Sequence, residues 1–326
     1  MIDWIANTFD SLQLALYENL VQPVVFGLGF GNLLEDAFAA TGWLLLGLLQ
    51  IGFILFGIGL LERRWPVEPI TDRSAVRTDV VYTLIHRLGL VRLLMFFSIE
   101  PLWDAMAGQL RLAGLSTWQL DGVWPGVSDI PWVSLLLYLV VFDFVGYWLH
   151  RAQHQFNWWW ALHSLHHSQR QMTMWSDNRT HLLDDVVVGT AFALLARLIG
   201  VEPGQFVAIT VITQLLESLQ HANTRIHFGA VGERMLISPR FHRLHHSIGI
   251  GHESAGRGTL GGHNFGVLLP LWDMLFRTSN FENRLYATGV RDQLPDEGGR
   301  DYGRGFWRQQ WLGLRRLGTS YRREPS

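Results

Sequence analysis

The apolar residues of this chain gather into long blocks instead of alternating with polar ones. From Thr41 to Leu61 the sequence reads TGWLLLGLLQIGFILFGIGLL without a single charge, and roughly 20 such residues cross the hydrocarbon core of a bilayer. This block predicts a transmembrane helix. A second block, Pro131 to Leu149, is interrupted only by Asp143. A third, Val80 to Ile99, has the length but carries His86, Arg87 and Arg92, which predicts a helix partly buried against its neighbours. Leu182 to Gly200 and Gln205 to Gln220 read as a helical hairpin turned by Pro203 and Gly204. Val21 to Phe30 is apolar too, but Pro23, Gly27 and Gly29 break it, so it is expected at the interface or as a short packed helix. The expectation is an all-α fold, a polytopic membrane helical bundle with about five hydrophobic segments, some short or only partly embedded.

Composition agrees with a membrane protein. Hydrophobic residues make up 48% of the 326 and charged ones 17%, against about 25% charged in an ordinary soluble domain. Every basic residue is Arg, and none precedes Arg63, whereas Asp3, Asp10, Glu18, Glu35 and Asp36 do. Arg63, Arg64, Arg73 and Arg77 follow the first block, Asp104 to Ile130 holds only Arg111, and the chain beyond Leu149 is rich in Arg. Basic loops stay cytoplasmic. The N-terminus is therefore expected outside, and the ends of the later helices on the cytoplasmic side of what reads as a bacterial inner membrane. No basic stretch precedes the first apolar residues, so a cleavable signal peptide is not expected.

The candidate chemistry sits at those helix ends. Eight of the 14 histidines fall into three groups: His150 and His154 in HRAQH; His163, His166 and His167 in HSLHH; His242, His245 and His246 in HRLHH. Residues three and four apart share a helix face, so each group is able to aim its imidazoles at one point. Eight neutral nitrogen donors exceed the needs of one ion of ordinary coordination number, which points to two metals in one pocket. His221, at the end of the hairpin, is a further candidate ligand. A zinc hydrolase of the HExxH type is excluded, because Arg151, Ala152 and Gln153 fill the space where its Glu would stand. The absence of Cys excludes thiolate ligands, disulfides and iron–sulfur clusters. What remains is an all-nitrogen dimetal site, read as iron doing dioxygen chemistry. The chain has no Gly-rich phosphate loop, no internal repeat and no basic patch with interleaved aromatics, so nucleotide and nucleic-acid binding are not expected.

Metal-bound imidazoles generally donate their second N–H to a carboxylate or carbonyl. Asp143, Asp177, Asp184, Asp185, Glu217 and Asp273 are close enough in sequence to serve, and Glu217, one turn before His221, is alternatively a direct ligand. Asp143 and Glu217 lie in apolar segments, where an acid is costly and a functional suspect; the structural alternative for Asp143 is a pair with Arg87 or Arg92. His86 and His227 read as structural.

From Val133 to Thr278 the pattern resembles the fatty acid hydroxylase and sterol desaturase superfamily of integral membrane non-haem di-iron proteins. The resemblance rests on His150 and His154 at the end of an apolar helix, on HSLHH, on SPRFHRLHH at Ser238 to His246, and on HNFGVLLPLWDMLFRT at His263 to Thr278. It implies that the boxed histidines and His221 ligate two iron ions, that dioxygen is the co-substrate, and that the substrate is a membrane lipid. It leaves His181, in NRTHLLDD, evenly placed between ligand and bystander, and makes His263 and Asn264 possible ligands or supporting groups. Two departures from the family pattern stand out: the glycine-rich SIGIGHESAGRGTLGGH between His246 and Asn264, which carries His252, and Arg277 where a glycine is usual.

The resulting division is residues 1–130 as an N-terminal membrane region with an interfacial segment and about two spans, 131–280 as a hydroxylase-like catalytic domain, and 281–326 as an Arg-rich cytoplasmic tail. Hydroxylation is the leading reading. A desaturase or an ether-lipid monooxygenase would use the same site, and a non-enzymatic metal-binding membrane protein is disfavoured because the histidines cluster on one side. No flavin, nicotinamide or haem fingerprint is present, so electrons are expected from a separate ferredoxin or cytochrome with its reductase. The Arg-rich stretch from Arg300 to Arg323 would serve equally to dock such an acidic carrier or to anchor on anionic lipid.

Overall fold

The computed structural model describes residues 2–114, 117–249 and 261–320. Among these, every regular element is helical, and the only β-type pairing is an isolated bridge between Ser247 and Thr288.

The N-terminal arm is more helical than its broken apolar pattern suggests. Helix α1 (Ile2–Leu16) passes through a π turn into α2 (Gln22–Gly27). It lies along α3 (Leu34–Phe53): Gln13 Nε2 donates to the Phe38 carbonyl at 2.9 Å, the Tyr17 hydroxyl donates to the Leu34 carbonyl at 3.0 Å, and the Tyr17 ring meets Phe38 edge-on. Helix α3 continues through a second π turn into α4 (Gly59–Arg64). The first apolar block is thus one continuous helix from Gly31 to Arg64. Together with α8 (Pro131–Gln155) it completes the pair of described helices long and apolar enough to cross a membrane.

The expected third span is bent. Helices α5 (Arg73–Arg87) and α6 (Leu90–Ser98) meet at 49°, because Gly89 between them takes a φ of 82°, a left-handed conformation that ends a helix and favours glycine. Helix α7 (Glu100–Leu112) follows. The charges that made this block ambiguous are absorbed: Arg87 Nη2 donates to Asp177 Oδ2 at 2.8 Å, to the Gln214 carbonyl at 3.0 Å and to Ser218 Oγ at 3.0 Å, while the Arg92 guanidinium lies over the Trp43 ring. At this crossing α3 touches α5 backbone to backbone, since a Cβ on Gly47 would sit 1.7 Å from the Arg87 carbonyl oxygen.

The hairpin forms as α10 (Leu182–Ile199) and α11 (Pro203–His221), with Gly200 and Pro203 at its turn. Neither helix meets the length and apolarity of a span; α10 carries Asp184, Asp185 and Arg197. By those criteria the expected five segments reduce to two spans, or three if the bent pair counts as one.

The remaining helices are α9 (Asn157–His167), the short α12 (Gly229–Gly232), α13 (Pro239–His245) and α14 (Leu271–Leu275), and α15 (Phe306–Ser320). The stretch expected as an Arg-rich tail is built into the fold. Arg316 is buried, with Nε donating to the Ala161 carbonyl at 3.0 Å and its guanidinium over the Tyr302 ring, and Gln310 Nε2 donates to the Tyr82 hydroxyl and the Thr180 carbonyl, both at 3.0 Å.

Candidate metal centre

Helices end where the histidines are. Helix α8 stops at Gln155 and α9 starts at Asn157, and the residue between them, Phe156, is extended at φ −96° and ψ 122°. That single break turns α9 against α8 and brings HSLHH beside HRAQH. Helix α11 ends on His221. Helix α13 is nucleated by Ser238, whose hydroxyl accepts from the Phe241 amide at 3.1 Å, with Pro239 in the first turn; this cap and proline are what let so short a helix form and present His242 and His245.

The histidines sort into two groups of four: His150, His154, His167 and His245, and His166, His221, His242 and His246. In each group the candidate ligand atoms lie within 4.8 Å of one another. The sequence boxes do not map one to one onto these groups, contrary to the expectation that each box aims at one point. The adjacent His166 and His167 diverge, and so do His245 and His246, because neighbouring residues on a helix point about 100° apart. Each HH pair therefore serves both groups. The seam between them is a ring stack of His167 on His246, with centroids 4.2 Å apart and planes 18° from parallel.

Backbone carbonyls fix several tautomers. The Nδ1–H of His150 donates to the Phe265 carbonyl at 2.9 Å, that of His245 to the His263 carbonyl at 2.8 Å, and that of His221 to the Glu217 carbonyl at 2.8 Å. A carbonyl only accepts, so Nδ1 holds the proton and the neutral ring keeps its lone pair on Nε2. The Nε2 atoms then converge: His221 to His166 at 3.1 Å, His242 to His221 at 3.0 Å, and His246 to His242 at 3.1 Å. Metal–imidazole bonds of roughly 2.0–2.1 Å put two ligands at a right angle about 3.0 Å apart. The donor set therefore fits an ion in the second group. Burial first, and the mutual repulsion of neighbouring imidazoles second, hold His166, His167, His242, His245 and His246 well below the usual histidine range, as neutral donors.

His163 belongs to neither group but flanks the first, with its ring centroid 5.1 Å from that of His154 and 5.0 Å from that of His167. Its Nδ1–H donates to Asp184 Oδ2 at 3.2 Å, and its buried Nε2 is left without a hydrogen-bond partner. Asp184 is held in turn by Gln153 Nε2 at 2.8 Å and Trp159 Nε1 at 2.6 Å.

Residues 135–278 match the family model for fatty acid hydroxylase. Over that stretch the chain is similar to the fatty acid hydroxylase family. It is similar to an ornithine lipid hydroxylase of Rhizobium tropici, 26% identical over 235 residues that cover 72% of this chain and 66% of that protein. It is also similar to the human alkylglycerol monooxygenase, at 28% identity over 50% of this chain and 34% of the relative, and to a delta(7)-sterol 5(6)-desaturase of Gibberella zeae, at 29% identity over 38% and 39%. These relatives are members of the superfamily that the histidine boxes resemble. The chain spans less than two thirds of the length of each. No solved structure matches the chain at a significant level.

Within the matched stretch the segment from His263 to Thr278 acts as a frame. Fully buried Asp273 accepts from the amides of Phe265 at 2.8 Å and Gly266 at 2.7 Å and from Thr278 Oγ1 at 2.7 Å. Asp143, reaching across from α8, accepts from the Leu268 amide at 2.7 Å, the Leu269 amide at 3.1 Å and Trp272 Nε1 at 2.9 Å, and so does not pair with Arg87 or Arg92. Asn264, at a φ of 60°, spends its whole side chain on backbone: Nδ2 donates to the carbonyls of Phe241 at 3.0 Å and Asn280 at 2.9 Å, and Oδ1 accepts from the Asn280 amide at 2.6 Å. Arg277 has a φ of 58°, a left-handed conformation that glycine adopts without strain.

The other candidates lie outside both groups. His181 caps α10: its Nδ1 accepts from the Leu183 amide at 3.1 Å, and its Nε2–H donates to the Gln310 carbonyl at 2.9 Å. Glu217 contributes its carbonyl to His221, while its carboxylate joins neither group. His263 likewise contributes its carbonyl, to His245, and its Nε2 sits 3.5 Å from Asn280 Nδ2. His86 Nε2 meets Asp185 Oδ2 at 3.0 Å, and His227 Nδ1 accepts from the Gly229 amide at 3.1 Å. His252 lies outside the described residues. The carbonyls of Phe265, His263 and Glu217 escape sequence reading because every residue has one; only their places beside a histidine box or within the HNFG segment hint at the role.

Proposed function

We propose that the two histidine groups hold two iron ions and that the protein uses dioxygen to hydroxylate a C–H bond of a membrane lipid. The observation that carries this reading is the pair of four-imidazole groups, buried except for half-buried His150, sharing the His167–His246 seam, with no carboxylate in either. Iron bound there supplies electrons and Lewis acidity for dioxygen-dependent attack on an unactivated C–H bond. His150, His154, His167 and His245 would hold one ion and His166, His221, His242 and His246 the other. His163 is placed to join the first through its free Nε2, with Asp184 holding its ring. Asp143, Asn264, His263 and the Glu217 backbone orient ligands, and His181 is assigned to the fold.

The chain's own residues prepare the site. They bury seven of the eight imidazoles, they hold His166, His167, His242, His245 and His246 neutral, they lock ring orientation through carbonyl acceptors, and the site they build lies at helix ends, where a lipid chain would arrive from the side. That placement and the lipid-modifying relatives support a fatty acyl, sterol-like, terpenoid or ether lipid as the substrate. The Arg distribution supports a cytoplasmic-side site in a bacterial inner membrane, with electrons from a separate ferredoxin or cytochrome and its reductase. Desaturation is the second reading, because a sterol desaturase is among the relatives.

Comparing lipid extracts of cells with and without the gene tests this. The expected result is a lipid gaining one oxygen atom only when the gene is present; loss of two hydrogens selects the desaturase, and unchanged lipids in cells making the iron-loaded protein contradict both.

A further inference from the structure

Helix α15 has two unlike faces. Gln309, Gln310, Gly313 and Arg316 are buried, and the fit is close enough that a Cβ on Gly313 would lie 2.3 Å from His181 Cδ2. On the other face Trp307, Trp311 and Leu314 are 79%, 61% and 41% exposed. Their spacing of four and three residues aligns them as one stripe. Arg304, Arg308 and Arg315 are exposed on the same helix and its approach, and Arg308 meets Asp301 at 3.0 Å.

We propose that α15 is an interfacial helix that seats this stripe in the head-group layer of an anionic bilayer surface. Three observations choose that occupant. The stripe is tryptophan-rich, and tryptophan favours the boundary where one edge of the ring is apolar and the other wet. The exposed arginines beside it complement lipid phosphates while their stems cover apolar surface. The helix is also fixed at the end of a span: it packs on α9, which begins two residues after α8 ends, and on α5 through the Tyr82–Phe306 ring contact at 4.8 Å. An acidic electron carrier is the weaker occupant, because transient carriers dock on small charged patches, whereas here Arg316 is withdrawn into the fold and large apolar rings lead.

The chain has no cysteine, so Trp311→Cys and Leu314→Cys accept a single nitroxide label in the full-length protein. In nanodiscs containing phosphatidylglycerol, both labels are expected to collide preferentially with oxygen over a water-soluble nickel chelate, at a depth of roughly 5–10 Å into the interface. A label at exposed Glu297, as Glu297→Cys, should remain aqueous. If Trp311→Cys fails to fold, Leu314→Cys carries the same test. Labels at 311 and 314 as accessible to nickel as the one at 297 overturn the proposal. So does protection that arises only on adding an acidic ferredoxin, which would assign the face to the carrier instead.

Discussion

The imidazole of His150 is held by the main chain of Phe265, its Nδ1–H donating to that carbonyl at 2.9 Å. The carbonyl is itself placed by Asp273, which binds the Phe265 and Gly266 amides. The tautomer of a candidate ligand thus depends on a carboxylate that touches neither histidine group. Asp273→Ala strands two buried amides, each worth about 1–3 kcal/mol when unsatisfied, and frees the carbonyl that orients His150. The expected outcome is a lower Tm together with a 10–100-fold loss of metal affinity, the usual order for removing such a supporting contact. Metal titration of variant that is still folded at low temperature checks it; full affinity for two ions would show that the frame does not orient the ligands.

His181 and His221 separate ligand from cap. Both are buried histidines at helix ends, but both ring nitrogens of His181 are spent on protein groups, whereas His221 has only Nδ1 anchored and points Nε2 at His166 and His242. His181→Ala is expected to destabilise by about 0.5–2 kcal/mol, as for loss of a cap, and to keep both metals. His221→Ala is expected to lose metal and turnover. Inductively coupled plasma mass spectrometry on both variants decides, and metal loss in His181→Ala with retention in His221→Ala would reverse the assignment.

The histidine boxes were legible because a helix repeats every three to four residues, so spacing alone announced shared faces. Their division was not. Whether His166 and His167 serve one group or two depends on how α9 docks, and that is set by the one-residue break at Phe156 and by contacts from α11 and α13. The bend at Gly89 and the docking of Arg316 were hidden for the same reason: hydropathy reports how apolar a segment is, not what its charges find across the fold. Arg87 and Asp143 look like liabilities in apolar blocks, yet each is satisfied by partners far away in sequence.

Arg277 occupies a left-handed position, with φ at 58° and its residue exposed. A non-glycine residue there costs roughly 1–2 kcal/mol of backbone strain, partly offset by the larger unfolded-state entropy of glycine. Arg277→Gly is therefore expected to raise the Tm by a few degrees with metal content unchanged. A lower Tm in thermal unfolding would mean that the arginine side chain contributes more than its backbone costs.

Reporter fusions address orientation. A fusion after Leu61 and one at the C-terminus are expected to report the cytoplasm, and one near Asp121 the outside, following the arginine distribution. An outward C-terminus would contradict it, because the histidine-bearing ends of α8, α11 and α13 would then face the wrong compartment for the proposed electron donor.

If the two groups, His150, His154, His167, His245 and His166, His221, His242, His246, are two separate metal sites, each loses its own ion when its own histidines are removed. Metal content per chain, measured on full-length protein purified from iron-replete cells alongside His154→Ala and His242→Ala, tests it most directly. Two ions are expected in the parent and a loss concentrated in a different site for each variant, with zinc able to replace iron in overexpressed material because it binds nitrogen sites more tightly. One ion or fewer in a parent protein that is active would contradict it.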